Sequence, residues 1–186
     1  MAKKTGAWLA WLQDQVIHVT RIHFFLAAVY MAYTIASDAW QLITPTVVLE
    51  RWVVGVGLLS FNTIFWFLAH NKTTSTLYYR LILYGVILVD IGFAAFAIYN
   101  QRGMASRGIV LFALPLLVSA VLLSRRALLA TAALSVAAYS MAAILYFVVH
   151  PNEGYHAELY IEVGFYCALF FVFVALLWTV IHPKRA

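Results

Sequence analysis

The stretch LYYRLILYGVILVDIGFAAFAIYN, Leu77 to Asn100, is apolar for long enough to cross a bilayer, yet it carries Asp90 near its middle. A hydrocarbon core about 30 Å thick takes roughly 20 apolar residues of helix. Whether this segment belongs to lipid or to a soluble core therefore decides the fold. Hydrophobic residues make up 65% of the 186 and charged residues 10%, with a mean hydropathy of +0.91. A soluble domain needs a charged surface, which 12 Lys and Arg with 7 Asp and Glu cannot supply. Lipid takes the place of that surface, and the chain reads as an all-α, polytopic membrane protein.

Six segments have the required apolar length: 16–36, 52–69, 77–99, 109–123, 128–149 and 159–181. The fourth is short, and Pro115 near its middle is expected to kink it, because proline lacks the N–H of a helical hydrogen bond and crowds the preceding turn. The connecting stretches SDAWQLITPT, HNKTTST, NQRGMASRG, SRR and HPNEGYH carry the Gly, Pro, Asn and Ser of turns. None is long enough for a domain of its own, and no internal repeat stands out. Gly55 and Gly57 lie inside a span, without the strand and third glycine of a nucleotide-binding loop.

Counting loops in a six-span arrangement, Lys3, Lys4, Arg21, Lys72, Arg80, Arg125, Arg126, Lys184 and Arg185 fall on one side, and only Arg51, Arg102 and Arg107 on the other. The positive-inside rule then makes both termini cytoplasmic. The basic balance, pI 9.4, is the ordinary membrane asymmetry and gives no reason to expect nucleic-acid binding. Residues 1–15 contain Trp8, Leu9, Trp11 and Leu12 at helical spacing but are interrupted by Gln13, Asp14 and Gln15. They read as an interfacial amphipathic segment and not as a cleaved signal peptide. It precedes a six-helix domain over 16–182 and a short cytoplasmic tail over 183–186. Trp40, Trp52, Tyr99, Tyr155 and Tyr160 are expected in an outer aromatic belt, and Trp8, Trp11, Tyr78 and Tyr79 in an inner one. The NKT sequon at Asn71 falls in an expected cytoplasmic loop and is not expected to be glycosylated.

Asp90 lies about ten residues from either end of its span, where an ionised carboxylate costs on the order of 3 kcal/mol or more. Protonation would relieve that cost, and so would a polar partner. Asn62, at comparable depth in the preceding span, is the candidate partner. Ala94 and Ala97 share the face of Asp90, which points that face towards protein. Asp90 reads either as a proton- or ligand-linked switch or as an interhelical hydrogen bond that fixes packing. The Ala- and Ser-rich fifth span allows close helix approach and offers Tyr139 and Ser140 as pocket residues or as ordinary interhelical bonds. The candidate ligand-binding or switch residues are thus Asp90, Asn62, Pro115 and Tyr139.

Other chemistry finds little support. His18, His23, His70 and His182 map to one end of the bundle and His150 and His156 to the other. None is deep enough to suggest bis-histidine haem ligation, and no HxxxH pair suggests a metal. Glu158 and Glu162 sit in the first turns of the sixth span, where the helix dipole favours acids. Cys167 alone can form neither an intramolecular disulfide nor a CxxC motif, and reads as a packing residue. No span holds a lysine for retinal, and no catalytic triad can be placed at one depth. The chain is not expected to be an enzyme.

From Asp90 onward, LVDIGFAAFAIYNQRGMASRGIVLFALPLLVSAVLLSRRALLATAALS resembles the six-helix membrane input regions of bacterial histidine kinases of the redox-responsive and pilus-regulating types. The matching residues are Asp90, Tyr99, Gly103, Ser106, Leu114, Pro115, Arg125 and Arg126. The resemblance covers about 45 residues, and the other spans match by architecture only. It implies a dimeric sensor input domain in the bacterial inner membrane that reads a small or lipid-soluble ligand, a quinone in the redox-responsive members. The sequence departs from that pattern after the last span. Pro183 would interrupt a signalling helix, and the tail to Ala186 has no phospho-accepting histidine or ATP-binding domain. The expectation is a region cut from a longer protein or a free-standing relative acting through another chain.

Three functional expectations follow. The first is a non-catalytic sensor or interaction domain, a homodimer or bound to a partner membrane protein, with a small apolar pocket between spans two to five. The second is a structural or accessory subunit of a respiratory or photosynthetic membrane complex. The third is a small proton-coupled transporter, for which Asp90 is the main credential.

Overall fold

The protein is described by a computed structural model covering residues 2–73, 75–100, 107–150 and 157–181, without the side chains of 2–5, 107 and 157–159. Gly103, Ser106, Arg102, Glu153, Tyr155, His156, His182, Pro183, Lys184 and Arg185, and the side chains of Lys3, Lys4, Arg107 and Glu158, lie outside it. Helix accounts for 92% of the described residues, and no strand occurs among them.

Six α-helices follow in order: α1 (Ala2–Ala39), α2 (Pro45–His70), α3 (Thr76–Asn100), α4 (Ala113–Val121), α5 (Arg125–Val149) and α6 (Ala157–Ile181), with a 3₁₀ helix over Arg107–Phe112 leading into α4. Five of them, all but α4, are long and apolar enough to cross a membrane, and the apolar stretch Gly108–Val121 is shorter. Two compact units divide the chain, Met1–Leu83 and Tyr84–Ala186, with the boundary inside α3.

The first unit is built on the antiparallel pair α1 and α2, tied at three heights. Near one end the amide of Gln13 donates to the Ala69 carbonyl, 3.0 Å. Further along, the buried amide of Asn62 donates to the Thr20 carbonyl, 2.9 Å. Towards the far end Gly55 lets the helices close up, since a Cβ there would stand 3.1 Å from Cγ of Met31. Residues 13 to 31 span about 27 Å of helix, close to the thickness of a hydrocarbon core. Beyond Gly55, the Arg51 guanidinium lies over the Tyr33 ring, 5.1 Å from its centroid. Thr34, Ser37, Ser60 and Thr63 each return their hydroxyl to the carbonyl four residues back. That bond satisfies them without water and makes them tolerable in a lipid-embedded helix.

The sequence separates residues 1–15 from the first span, but α1 runs unbroken for 38 residues. Leu12 and Val16 are both buried, and Gln13 is bonded to α2, so the leading turns of α1 are packed as part of the same helix. Gln13 and Gln15 are good helix formers and the single Asp14 between them is no breaker, so the polarity that interrupts the apolar run does not interrupt the backbone.

α1 stops at Gln41, whose φ of 54° is left-handed. The Leu42 N–H donates to the Ser37 carbonyl at 2.9 Å and the Gln41 N–H to the Asp38 carbonyl at 2.8 Å. This is the double-bonded C-terminal motif that normally carries glycine. α2 then begins on Pro45, whose fixed φ suits a first helical position where no N–H is needed. At the turn into α3, the Tyr79 hydroxyl donates to the Asn71 carbonyl at 2.9 Å and the Tyr78 hydroxyl to the Leu68 carbonyl at 3.0 Å. Tyr79 is fully buried. It latches the turn instead of facing the membrane surface with the other aromatics.

In the second unit α5 and α6 run antiparallel. Ser140 meets Cys167, Oγ to Sγ 3.6 Å, and Ala143 packs against Phe147 and Val163. The kink foreseen at the middle of the fourth apolar segment falls earlier, before Ala113. Pro115 is the third residue of α4. It cannot donate to Leu111, so the chain ahead of it winds as 3₁₀ and becomes α-helical only where the missing N–H is no longer required. α4 turns back into α5 over Leu122, Leu123 and Ser124, with Leu123 at φ 49° and the Ser124 hydroxyl accepting from the Ala127 N–H at 3.4 Å.

Candidate functional site

The second unit holds a set of buried polar side chains. α3 places Asp90 at 1% exposure on a face shared with Ala94 and Ala97, both buried. α5 places Ser135 and Tyr139 one turn apart on the same side, both with no exposed surface. Tyr99 of α3 meets Tyr146 of α5 edge-on, ring centroids 6.3 Å apart. Counting back from that contact at about 1.5 Å per residue, Asp90 is nine residues down α3, Tyr139 seven and Ser135 eleven down α5.

Ser135 Oγ and Tyr139 OH are buried without a hydrogen-bond partner among the described residues. Each such group forfeits about 1–3 kcal/mol when left unmade. Ser119 avoids this by donating to the Leu116 carbonyl, 2.8 Å. The two hydroxyls can donate to an acceptor such as a carbonyl oxygen.

Tyr139 also anchors an aromatic cluster. Its ring is edge-on to Phe112 at 6.2 Å, to Tyr166 at 6.1 Å and to Phe170 at 6.1 Å. Phe112 and Phe170 lie 5.4 Å apart. Such pairs are favourable beyond the area they bury. Tyr166 and Phe170 form part of the wall of an open apolar groove of about 440 Å³ between α6 and the 3₁₀–α4 segment, completed by Ile109, Ala113, Leu116 and Phe173. Pro115 fixes the backbone between Ala113 and Leu116, two of these wall residues. The groove lies on α6 and the 3₁₀–α4 segment, whereas the sequence pointed to a pocket between spans two to five.

Of the sequence-derived candidates, Asp90, Pro115 and Tyr139 all fall in the second unit. Asn62 belongs to the first, where its amide hydrogen goes to α1. Ser140 touches Cys167 and not the orphaned hydroxyls. Ser135 was missed, although its spacing of four from Tyr139 in an apolar helix was the available signal. His18, His23, His70 and His150 each place Nδ1 within 3.0 Å of the carbonyl four residues back in their own helices. Among the described residues no three of His, Cys, Asp and Glu gather as metal ligands would.

No protein-family model matches the chain, and no similar chain is found among curated proteins or solved structures.

Proposed function

We propose that this chain is a non-catalytic, membrane-embedded sensor or input domain that reads a small lipid-soluble ligand. In this reading the short fourth segment completes a sixth crossing, both termini are cytoplasmic, and the membrane is the bacterial inner membrane. The domain signals as a homodimer or through a partner membrane protein. The observation that carries the reading is the orphaned buried hydroxyl of Tyr139, whose ring packs on Tyr166 and Phe170 in the wall of an apolar groove, with the orphaned Ser135 Oγ one turn away on α5. A quinone suits that arrangement, since its ring would stack in the groove and its carbonyls accept from hydroxyls. Ligand entry would repack Tyr166 and Phe170 against Tyr139 and so bias the seating of α6, the two-state element a switch requires. Asp90 would answer to the change in polarity. Mass spectrometry of the detergent-purified protein tests this. A lipophilic carbonyl compound is expected to remain with wild type and to be lost from Tyr139→Phe and Asp90→Asn. Equal retention, or none in any sample, overturns the reading.

A second reading, a structural or accessory subunit of a larger membrane complex, draws on α6. Only 11% of its most apolar window is buried, leaving Phe165, Leu169, Phe171, Val172 and Leu176 exposed. That reading predicts a stoichiometric second polypeptide after gentle solubilisation and no retained small molecule.

A further inference from the structure

We propose that the second unit carries a binding site for one anionic phospholipid, formed where the start of α5 meets the end of α6 and distinct from the apolar groove assigned above. A hollow of about 310 Å³ opens there, walled by Leu128 and Leu129 of α5 and by Phe171 and Ala175 of α6, with Arg125 and Trp178 also in its lining. The wall is apolar along its length, and its single formal charge, Arg125, is the first residue of α5. That combination has the form of a lipid: acyl chain against the leucines and Phe171, phosphate against the guanidinium. Trp178 adds an indole, the side chain preferred at headgroup level.

Charge selects the occupant. Arg125 and Arg126 occupy the first turn of a 25-residue helix that has no acid there. The aligned peptide dipoles make that end positive, so two cations in it raise each other's free energy and call for an anion. Among the described residues no carboxylate is paired with Arg125 or Arg126. A phosphodiester carrying its own acyl chains meets both demands, whereas a zwitterionic lipid brings its compensating cation to an already positive site. Basic pockets between membrane helices recognise anionic headgroups on these grounds.

The two arginines provide an internal control, because Arg125 lines the hollow and Arg126, one residue on and about 100° around the helix, does not. The test is native mass spectrometry of the full chain in detergent, titrated with phosphatidylglycerol or phosphatidylcholine of identical acyl chains. Wild type is expected to retain one phosphatidylglycerol in preference to phosphatidylcholine. Arg125→Gln should lose about fivefold of that preference, and Arg126→Gln should keep most of it. Ala175→Trp, which fills the hollow and leaves both charges, should lose the bound lipid. Inorganic phosphate at millimolar concentration should not displace the lipid, since the apolar wall contributes to its binding. The proposal is overturned if wild type holds the two lipids equally, or if the two glutamine variants lose preference alike, which would mark a diffuse surface charge. If Arg125→Gln does not fold, Ala175→Trp decides, and retention of lipid by that variant overturns the site.

Discussion

A tyrosine hydroxyl with nothing to bond is expensive inside a membrane protein, and Tyr139 makes that expense testable. In delipidated, ligand-free protein, Tyr139→Phe removes only an unsatisfied group and keeps the ring contacts with Phe112, Tyr166 and Phe170. Stability to reversible unfolding should then be unchanged or rise by up to about 1 kcal/mol. A loss of more than about 1 kcal/mol would mean that the hydroxyl has a partner. The two glycines noted in the second span part company in the same way. Gly55→Leu should destabilise by about 1–3 kcal/mol, because the new side chain drives into Met31 and Tyr30. Gly57, with open space where a Cβ would stand, should accept alanine within about 0.5 kcal/mol, and thermal unfolding in micelles reads both. At this scale the sequence was legible only in part. Depth and rarity singled out Asp90, Asn62 and Tyr139. Which backbone carbonyl Asn62 would choose depends on the rotation of α1 about its axis, and apolar periodicity does not encode rotation in a helix that is hydrophobic nearly all round.

Two of the described helix ends do without glycine. Gln41 and Leu123 both hold left-handed backbone, at φ 54° and 49°, where a side chain costs roughly 1–2 kcal/mol. Gln41→Gly should raise stability by about 0.5–1 kcal/mol, less than the full strain because glycine also frees the unfolded chain. Denaturant titration would show it as a higher midpoint at an unchanged slope. Most elements could be read from the sequence, since five runs of apolar residues, each punctuated by Pro, Asn or Ser, map onto α1, α2, α3, α5 and α6. The exceptions have local causes. That α1 runs on through residues 2–15 was not legible, because Gln13, Asp14 and Gln15 change polarity without breaking a helix. The 3₁₀ helix was hidden because proline announces a defect without saying on which side of itself the chain will absorb it.

For the whole molecule, the division within α3 sets an expectation about energetics. Gly55→Leu alters the first unit and Ala143→Leu the second, where Ala143 is closed in by Phe147 and Val163. Their destabilisations should add to within about 0.5 kcal/mol. A coupling above about 1 kcal/mol in the double variant would show that the units do not respond independently. Class and architecture were legible at this scale because lipid demands long apolar helices regardless of detail. The groove on α6 was not, because its other wall is a helix that fails to be α-helical for its full length. That same short helix has a consequence for biogenesis. Even with the 3₁₀ turn that leads into it, the apolar helix Gly108–Val121 is shorter than the roughly 20 residues of a lone span, and the turn to α5 is three residues long. In the six-span reading proposed above, α4 enters the bilayer in the company of α5, as a hairpin. Placed alone in a soluble host protein, the segment 108–123 should remain extractable by alkali, and the segment 108–149 should resist extraction with both helices in the lipid.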